Sequence, residues 1–176
     1  MKDRKLIERA RNGDKDALDE IVIRYYDDIY RFCLYMTGEE QDSYDISQEV
    51  FLRFFSYMNS YRHRNLKGYL LIIARNLCRD YLRRRSRENE TGFPDGLAEK
   101  KDPIGSVELE LLMNRLLGQL PCEQREVIIL RIREEFKFKE IAGITGDSLS
   151  TVKSRYRLGI ARMRSLLESE KGDDSL

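Results

Sequence analysis

Wherever this chain is long enough to show a hydrophobic period, the period is helical. At ~100° per residue, Val50, Phe51, Phe54 and Met58 gather on one side of a helix. Ile21, Tyr25, Ile29, Phe32 and Met36 do the same over residues 17–36, and Tyr69, Ile73, Leu77 and Asp80 over residues 68–85. Leu149, Val152, Tyr156, Ile160 and Met163 form a fourth stripe. No segment alternates in the two-residue rhythm of a strand, and no internal repeat is visible. The fold class read from this is all-α. Asn12-Gly13-Asp14 closes a first short helix begun by Leu6, Ile7 and Ala10. Pro121 suits the first turn of a helix, and Thr145-Gly146-Asp147 breaks the last helical stretch in two.

Between residues 86 and 106 the periodicity disappears, and two Pro and three Gly stand among charges. This divides the 176 residues into two small helical domains, 1–87 and 107–170. Residues 88–106 are read as a flexible linker and 171–176 as an acidic tail. A domain of that size buries only ~60% of its unfolded surface, so each core must be simple.

Composition excludes several function classes. Cys33, Cys78 and Cys122 are isolated and odd in number, and His63 is the single histidine. That rules out a disulfide framework, points to a reducing cytoplasm, and leaves no metal or cofactor to expect. No apolar run approaches the ~18 residues of a membrane span, so no membrane insertion is expected. There is no phosphate-cradling Gly loop and no nucleophile with a base, so the chain is not read as an enzyme. The net charge is only +1, and any nucleic-acid argument must rest on local distribution.

That distribution is uneven. Residues 37–50 hold five acids and no Lys or Arg. Asp45, Gln48, Glu49 and Leu52 form a stripe opposite the apolar face of their helix, with Asp42 one turn earlier. A charged stripe is usually only solvated; an exposed leucine within it suggests a docking surface for another protein. Residues 62–87 invert the balance, with nine Lys or Arg against the single acid Asp80. Arg75, Arg79 and Arg83 recur at four-residue spacing and run into Arg84, a stripe suited to phosphates. Just upstream, Tyr61, Arg62, His63, Arg64 and Asn65 mix an aromatic ring with cations and an amide, the chemistry that stacks and reads unpaired bases. A second basic stretch has no acid from 148 to 167. There Ser148 can cap a helix presenting Ser150, Thr151, Lys153, Ser154, Arg155, Arg157 and, further along, Arg162. A short helix, a Gly turn and this polar-faced helix make a helix-turn-helix, whose second member enters the major groove.

These segments, in this order, resemble the sigma-70 family of bacterial RNA polymerase sigma factors, and more closely its small extracytoplasmic-function (ECF) group. Asp42-Ser43-Tyr44-Asp45-Ile46-Ser47-Gln48-Glu49-Val50-Phe51 is similar to the family's DAED-x-x-QE-x-F segment, with Tyr44 replacing an acid. The stretch from Tyr69 to Asp80 is similar to WL-x-x-IARN-x-x-x-D, with Tyr69 in place of Trp. Phe138-Lys139-Glu140-Ile141-Ala142 and Thr151-Val152-Lys153-Ser154-Arg155 are similar to the two helices of the family's −35 reader, with Asp147 where an apolar residue is common. The resemblance implies that the acidic stripe docks on the clamp coiled coil of the polymerase β′ subunit. It implies a second contact on the β flap, and promoter DNA held at its −35 and −10 elements. Asn76 and the loop of residues 61–65 then correspond to the pocket for an extruded −10 base, and an anti-sigma factor becomes a further partner.

The alternative is a stand-alone helix-turn-helix repressor or activator, which binds palindromes as a dimer and has no use for the acidic stripe. Either way the linker composition carries a testable consequence. Limited proteolysis of the free chain should cut first within residues 88–106 and release two folded fragments, as fragment masses would show. Protection throughout that window would count against a linker there.

Overall fold

The computed structural model describes residues 2–62, 65–90 and 106–173, and among these every regular element is a helix. None of those helices is long and apolar enough to cross a membrane. Helix α1 (Lys2–Arg11) turns at Gly13, with φ of 85°, into α2 (Lys15–Thr37). Asp14 caps α2 by accepting the Ala17 N–H at 3.2 Å. Its hydrogen bond from Arg9, 2.7 Å away, holds the carboxyl below its ordinary range. Gly38, at φ 76°, ends α2 by returning its N–H to Leu34 O. Helix α3 (Glu40–Tyr57) closes in a 3-10 turn (Met58–Ser60), and α4 (Leu66–Glu90) follows. The three long helices pack pairwise around Ile21, Ile29, Phe32, Phe54, Leu70 and Leu71, all fully buried or nearly so.

Helix α4 departs from the sequence reading at both ends. It begins at Leu66 because the Asn65 side chain accepts the Gly68 N–H at 3.1 Å and caps the first turn. It continues to Glu90 because the Arg- and Glu-rich run favours helix and no Gly or Pro intervenes before Gly92. Residues 88–90, assigned to the linker, are therefore the last turn of α4, Ser106 at its other end already begins the next helix, and 91–105 lie outside the described residues. The buried row of α4 is Leu66, Leu70, Ala74, Leu77 and Cys78. Asp80 is not stacked inward as the periodicity suggested; it sits at the helix edge, paired with Arg83.

The second half comprises α5 (Ser106–Gly118), α6 (Cys122–Ile128), α7 (Phe138–Thr145) and α8 (Leu149–Asp173). Helix α6 runs on through a π turn (Ile129–Arg133), a feature with no signal in the sequence. Pro121 is the N-cap of α6 with extended ψ of 144°, one position before the first turn expected for it. Glu135 takes a left-handed φ of 58°, which lets the Phe136 N–H return to Leu130 O at 3.0 Å and stops the helix. Gly159 lets α8 close on α6, since a Cβ there would meet the Ile128 side chain at 3.1 Å. Leu149, placed in the apolar stripe by its spacing, is 43% exposed; the buried stripe begins at Val152.

The halves are joined by charges that sequence spacing could not pair. Arg75 of α4 grips Glu126 of α6 with two bonds, Nε to Oε2 at 2.9 Å and Nη2 to Oε1 at 3.1 Å, and both side chains are buried. Burial pushes the Glu126 carboxyl above its ordinary range, against the opposing pull of Arg75. Arg79 adds Glu123 at 2.8 Å, and Lys67 bridges Glu134 at 2.7 Å and Asp28 at 2.9 Å. Arg125 donates to the Met36 carbonyl, and the Tyr35 hydroxyl donates to Glu110 at 2.9 Å. Removing one member of a buried pair strands the other charge, a loss of about 3–5 kcal/mol. Because the pair joins the halves, Glu126→Ala should open the molecule before it melts a helix. A larger radius of gyration by small-angle scattering at unchanged helical circular dichroism would register this.

Candidate docking and nucleic-acid surfaces

Helix α3 presents its two faces as the periodicity implies. Val50, Phe51 and Phe54 are buried, and Ser43 and Ser47 are buried beside them. Ser47 Oγ donates to Ser43 O at 2.6 Å within the helix, and the Ser43 hydroxyl donates to Glu39 O at 2.5 Å and lies 2.8 Å from the Thr37 hydroxyl of α2. On the outer side Asp45 and Gln48 are exposed and Leu52 is 62% exposed, an apolar side chain standing among acids. The acids do not lack partners, however. Glu49 pairs with Arg53 one turn on at 2.7 Å, Asp42 accepts the Tyr81 hydroxyl at 2.8 Å, and Glu39 pairs with Arg85 at 3.3 Å. These partners come from beyond residue 50, two of them from α4. Burial raises the Tyr81 hydroxyl pKa to about 12, so it remains a donor to Asp42. The result is a groove of about 820 Å³ between α3 and α4, acidic along Asp42, Asp45 and Glu49 and basic along Arg84 and Arg85.

The first basic surface is less open than a continuous stripe. Arg75 is buried against Glu126 and Arg79 is ion-paired to Glu123, so the upper half of the Arg75/Arg79/Arg83/Arg84 row is occupied by the second domain. Periodicity within α4 set the row correctly on one face but could not see that acids of another helix cover it. Arg83 and Arg84 are exposed, the former paired with Asp80. Asn76 is exposed and accepts only a long 3.4 Å contact from Arg75 Nη1, so its amide is not tied to the preceding loop. Tyr61 is buried, edge-on to Phe54 with centroids 5.8 Å apart and tilted over Tyr69 at 4.9 Å. Tyr69 thus fills an aromatic core slot. Arg62 and Asn65 are exposed, and His63 and Arg64 lie outside the described residues. Arg11, which no motif marked, donates to the carbonyls of Met58 and Tyr61 at the base of this loop.

The second basic surface is built on α7, the turn at Gly146 (φ 75°) and α8. Ser148 caps α8, its Oγ accepting the Thr151 N–H at 3.1 Å while the Thr151 hydroxyl lies 2.8 Å away. Phe138 and Tyr156 lock the two helices edge to face at 5.2 Å. Asp147 reaches back to Arg155 at 2.5 Å, so the acid standing in an apolar position ties the turn to the helix that follows it. Ser150, Lys153, Arg157 and Arg162 are exposed; Ser154, Thr151 and Arg155 are half-buried. The outward face near the helix start is therefore Ser150 and Lys153, with Arg157 and Arg162 further along.

Among the described residues no group of His, Cys, Asp and Glu is arranged to hold a metal ion. Comparison with known proteins matches residues 21–88 to Sigma-70 region 2 and residues 110–163 to Sigma-70, region 4. The ECF RNA polymerase sigma factor SigW of Bacillus subtilis is 30% identical, over 93% of this chain and 96% of its own length. The sigma factor SigM of the same organism is 29% identical over 90% and 99%. Among solved structures, the sigma factor RpoE of Bartonella quintana, bound to the anti-sigma factor NepR, superposes with a TM-score of 0.73. It is 25% identical and covers 85% of this chain and 96% of that one. CnrH, in complex with the cytosolic domain of CnrY, gives 0.74 at 24% identity over 95% and 97%, a likeness of fold.

The exposures divide the contacts expected of α8 by kind. Replacing Ser150 or Lys153 should cost ~1–3 kcal/mol at one base pair, whereas Arg157→Ala should weaken every −35 sequence alike and reduce the salt slope by about one. Promoter binding by reconstituted holoenzyme across a salt series measures both. A changed base preference in Arg157→Ala would reverse the docking orientation.

Proposed function

Because this chain belongs to the sigma-70 family of RNA polymerase sigma factors, in its ECF group, we infer that it binds core RNA polymerase and directs promoter-specific transcription initiation. The observation that carries this is the order of the two matched segments, 21–88 and 110–163, over one chain whose relatives match it along nearly their whole length. A stand-alone repressor accounts for the helix-turn-helix only; it leaves the region 2 match and the Leu52 face without a use. RNA synthesis itself belongs to the polymerase, in the cytoplasm where it works.

Each surface then has a role. Asp42, Asp45, Gln48, Glu49 and Leu52 meet the β′ clamp coiled coil, where the leucine supplies apolar area and the acids supply orientation. Residues 1–87 act as region 2, and Asn76 with the loop that follows the buried Tyr61 ring, residues 62–65, accepts a −10 base flipped from the stack. Flipping costs a few kcal/mol, which stacking and edge hydrogen bonds must offset. Arg83 and Arg84 hold the strand's phosphates, and Arg75 and Arg79 join them once released from Glu126 and Glu123. Residues 107–170 act as region 4, with α8 in the −35 major groove and a further contact on the β flap. The complex of the sigma factor RpoE with the anti-sigma factor NepR supports an anti-sigma protein as a further partner.

The Leu52 face lies opposite the core, so its loss should not unfold the protein. Gln48→Ala combined with Glu49→Lys is expected to move the melting temperature little, as surface substitutions usually fall within ~0.5 kcal/mol. The same variant should lose core binding in a pull-down and produce no run-off transcript. Wild-type affinity for core enzyme would refute the assignment.

A further inference from the structure

We propose that Arg11 is a positioning residue for −10 strand capture, its guanidinium setting where the backbone leaves the 3-10 turn at Tyr61 and Arg62. This rests on the reading of that segment as the start of the strand-capture loop. Arg11 ends α1, whose Leu6, Ile7 and Ala10 are buried and anchor it to the rest of the first domain. From there Nε and Nη2 donate to Met58 O at 2.9 and 2.6 Å, and Nη2 also to Tyr61 O at 2.6 Å. Met58 O receives the Tyr61 N–H as well, at 3.1 Å. Both ends of the turn that closes α3 are thus tied to one cation.

The physical case is specific to arginine. A helix end leaves carbonyls without intrahelical partners, and a cation there also complements the helix dipole. A planar fork spanning two carbonyls fixes direction as well as distance, which an ammonium does not. Arg62 closes the arrangement from the other side, donating to Asn59 O at 2.8 Å and to Tyr61 O at 3.0 Å. Tyr61 is held by its ring, against Phe54 and Tyr69, and by its carbonyl, while Arg62 beyond it is exposed. Arg11 bonds only backbone here, so it governs the aim of the segment without reading a base. Helix α1 precedes the segment matched to region 2, residues 21–88, so the tether is supplied by a part of this chain outside that likeness.

The test uses the full chain assembled with bacterial core polymerase on a template library randomised over the −35 and −10 elements, with transcripts sequenced. Arg11→Met keeps an unbranched stem and removes every donor. It should reduce the preference between best and worst −10 base about tenfold, the scale of one base contact, with −35 preferences and core affinity unchanged. Arg11→Lys, which keeps the cation but not the fork, should fall between and carries the comparison if the methionine variant does not fold. Output that drops uniformly, with −10 preferences intact and a lowered melting temperature, would reduce Arg11 to a structural role and overturn the proposal. An Arg62→Ala/Asn76→Ala double variant tests the underlying reading. If it flattens −10 preferences while Arg11→Met discriminates like wild type, the tether alone fails; if the double variant discriminates normally, the strand-capture reading fails.

Discussion

The Arg75–Glu126 pair sets how the two halves of this protein meet. Two charges withdrawn from water cost several kcal/mol each, and their attraction offsets this only when the geometry is good and the remaining polar atoms are satisfied. Both Glu126 oxygens are engaged by Arg75, and Arg79 lies 3.7 Å from one of them. A pair this particular specifies one register between α4 and α6. Lys67 with Glu134, Arg79 with Glu123, and Arg125 with the end of α2 fall into place around it. On the proposed reading the consequence is direct. Carboxylates of region 4 occupy cations that strand phosphates would otherwise take, so strand capture requires exchange of one anion for another.

On the proposed reading the two faces of α3 serve a core and a partner at once. Its inner face buries Val50, Phe51 and Phe54 against α2 and α4, and the small buried serines let those helices come close. Its outer face keeps Leu52 in solvent, an arrangement that costs solubility and is retained where a partner covers it. The acids around Leu52 are not uniformly free. Tyr81 and Arg85 hold Asp42 and Glu39 from across the groove, so the proposed docking surface comes from two helices and has a basic rim.

In the second half, the departure at Asp147 is absorbed locally. An acid in the turn would be costly against an apolar core; here it is half-exposed and bonded to Arg155. The pair joins the turn to the reading helix, and it draws Arg155 away from the outward face that Ser150 and Lys153 keep.

How far the sequence alone reached follows from the range of each interaction. Helical period, the Gly13 and Gly146 breaks and the Ser148 cap depend on residues within one or two turns, and so the elements, the helix-turn-helix and the Leu52 face were all legible there. The motifs carried the family for the same reason, being short and local. The ends of α4, the place of Asp80 at the helix edge, the exposure of Leu149 and the π turn after α6 were decided by caps and neighbours that a periodicity does not encode. The pairing of Arg75 with Glu126, and of Arg11 with Met58 and Tyr61, joins residues about fifty positions apart. Each could have found many partners along the chain. Only the packed helices, by excluding water and fixing distance, selected these.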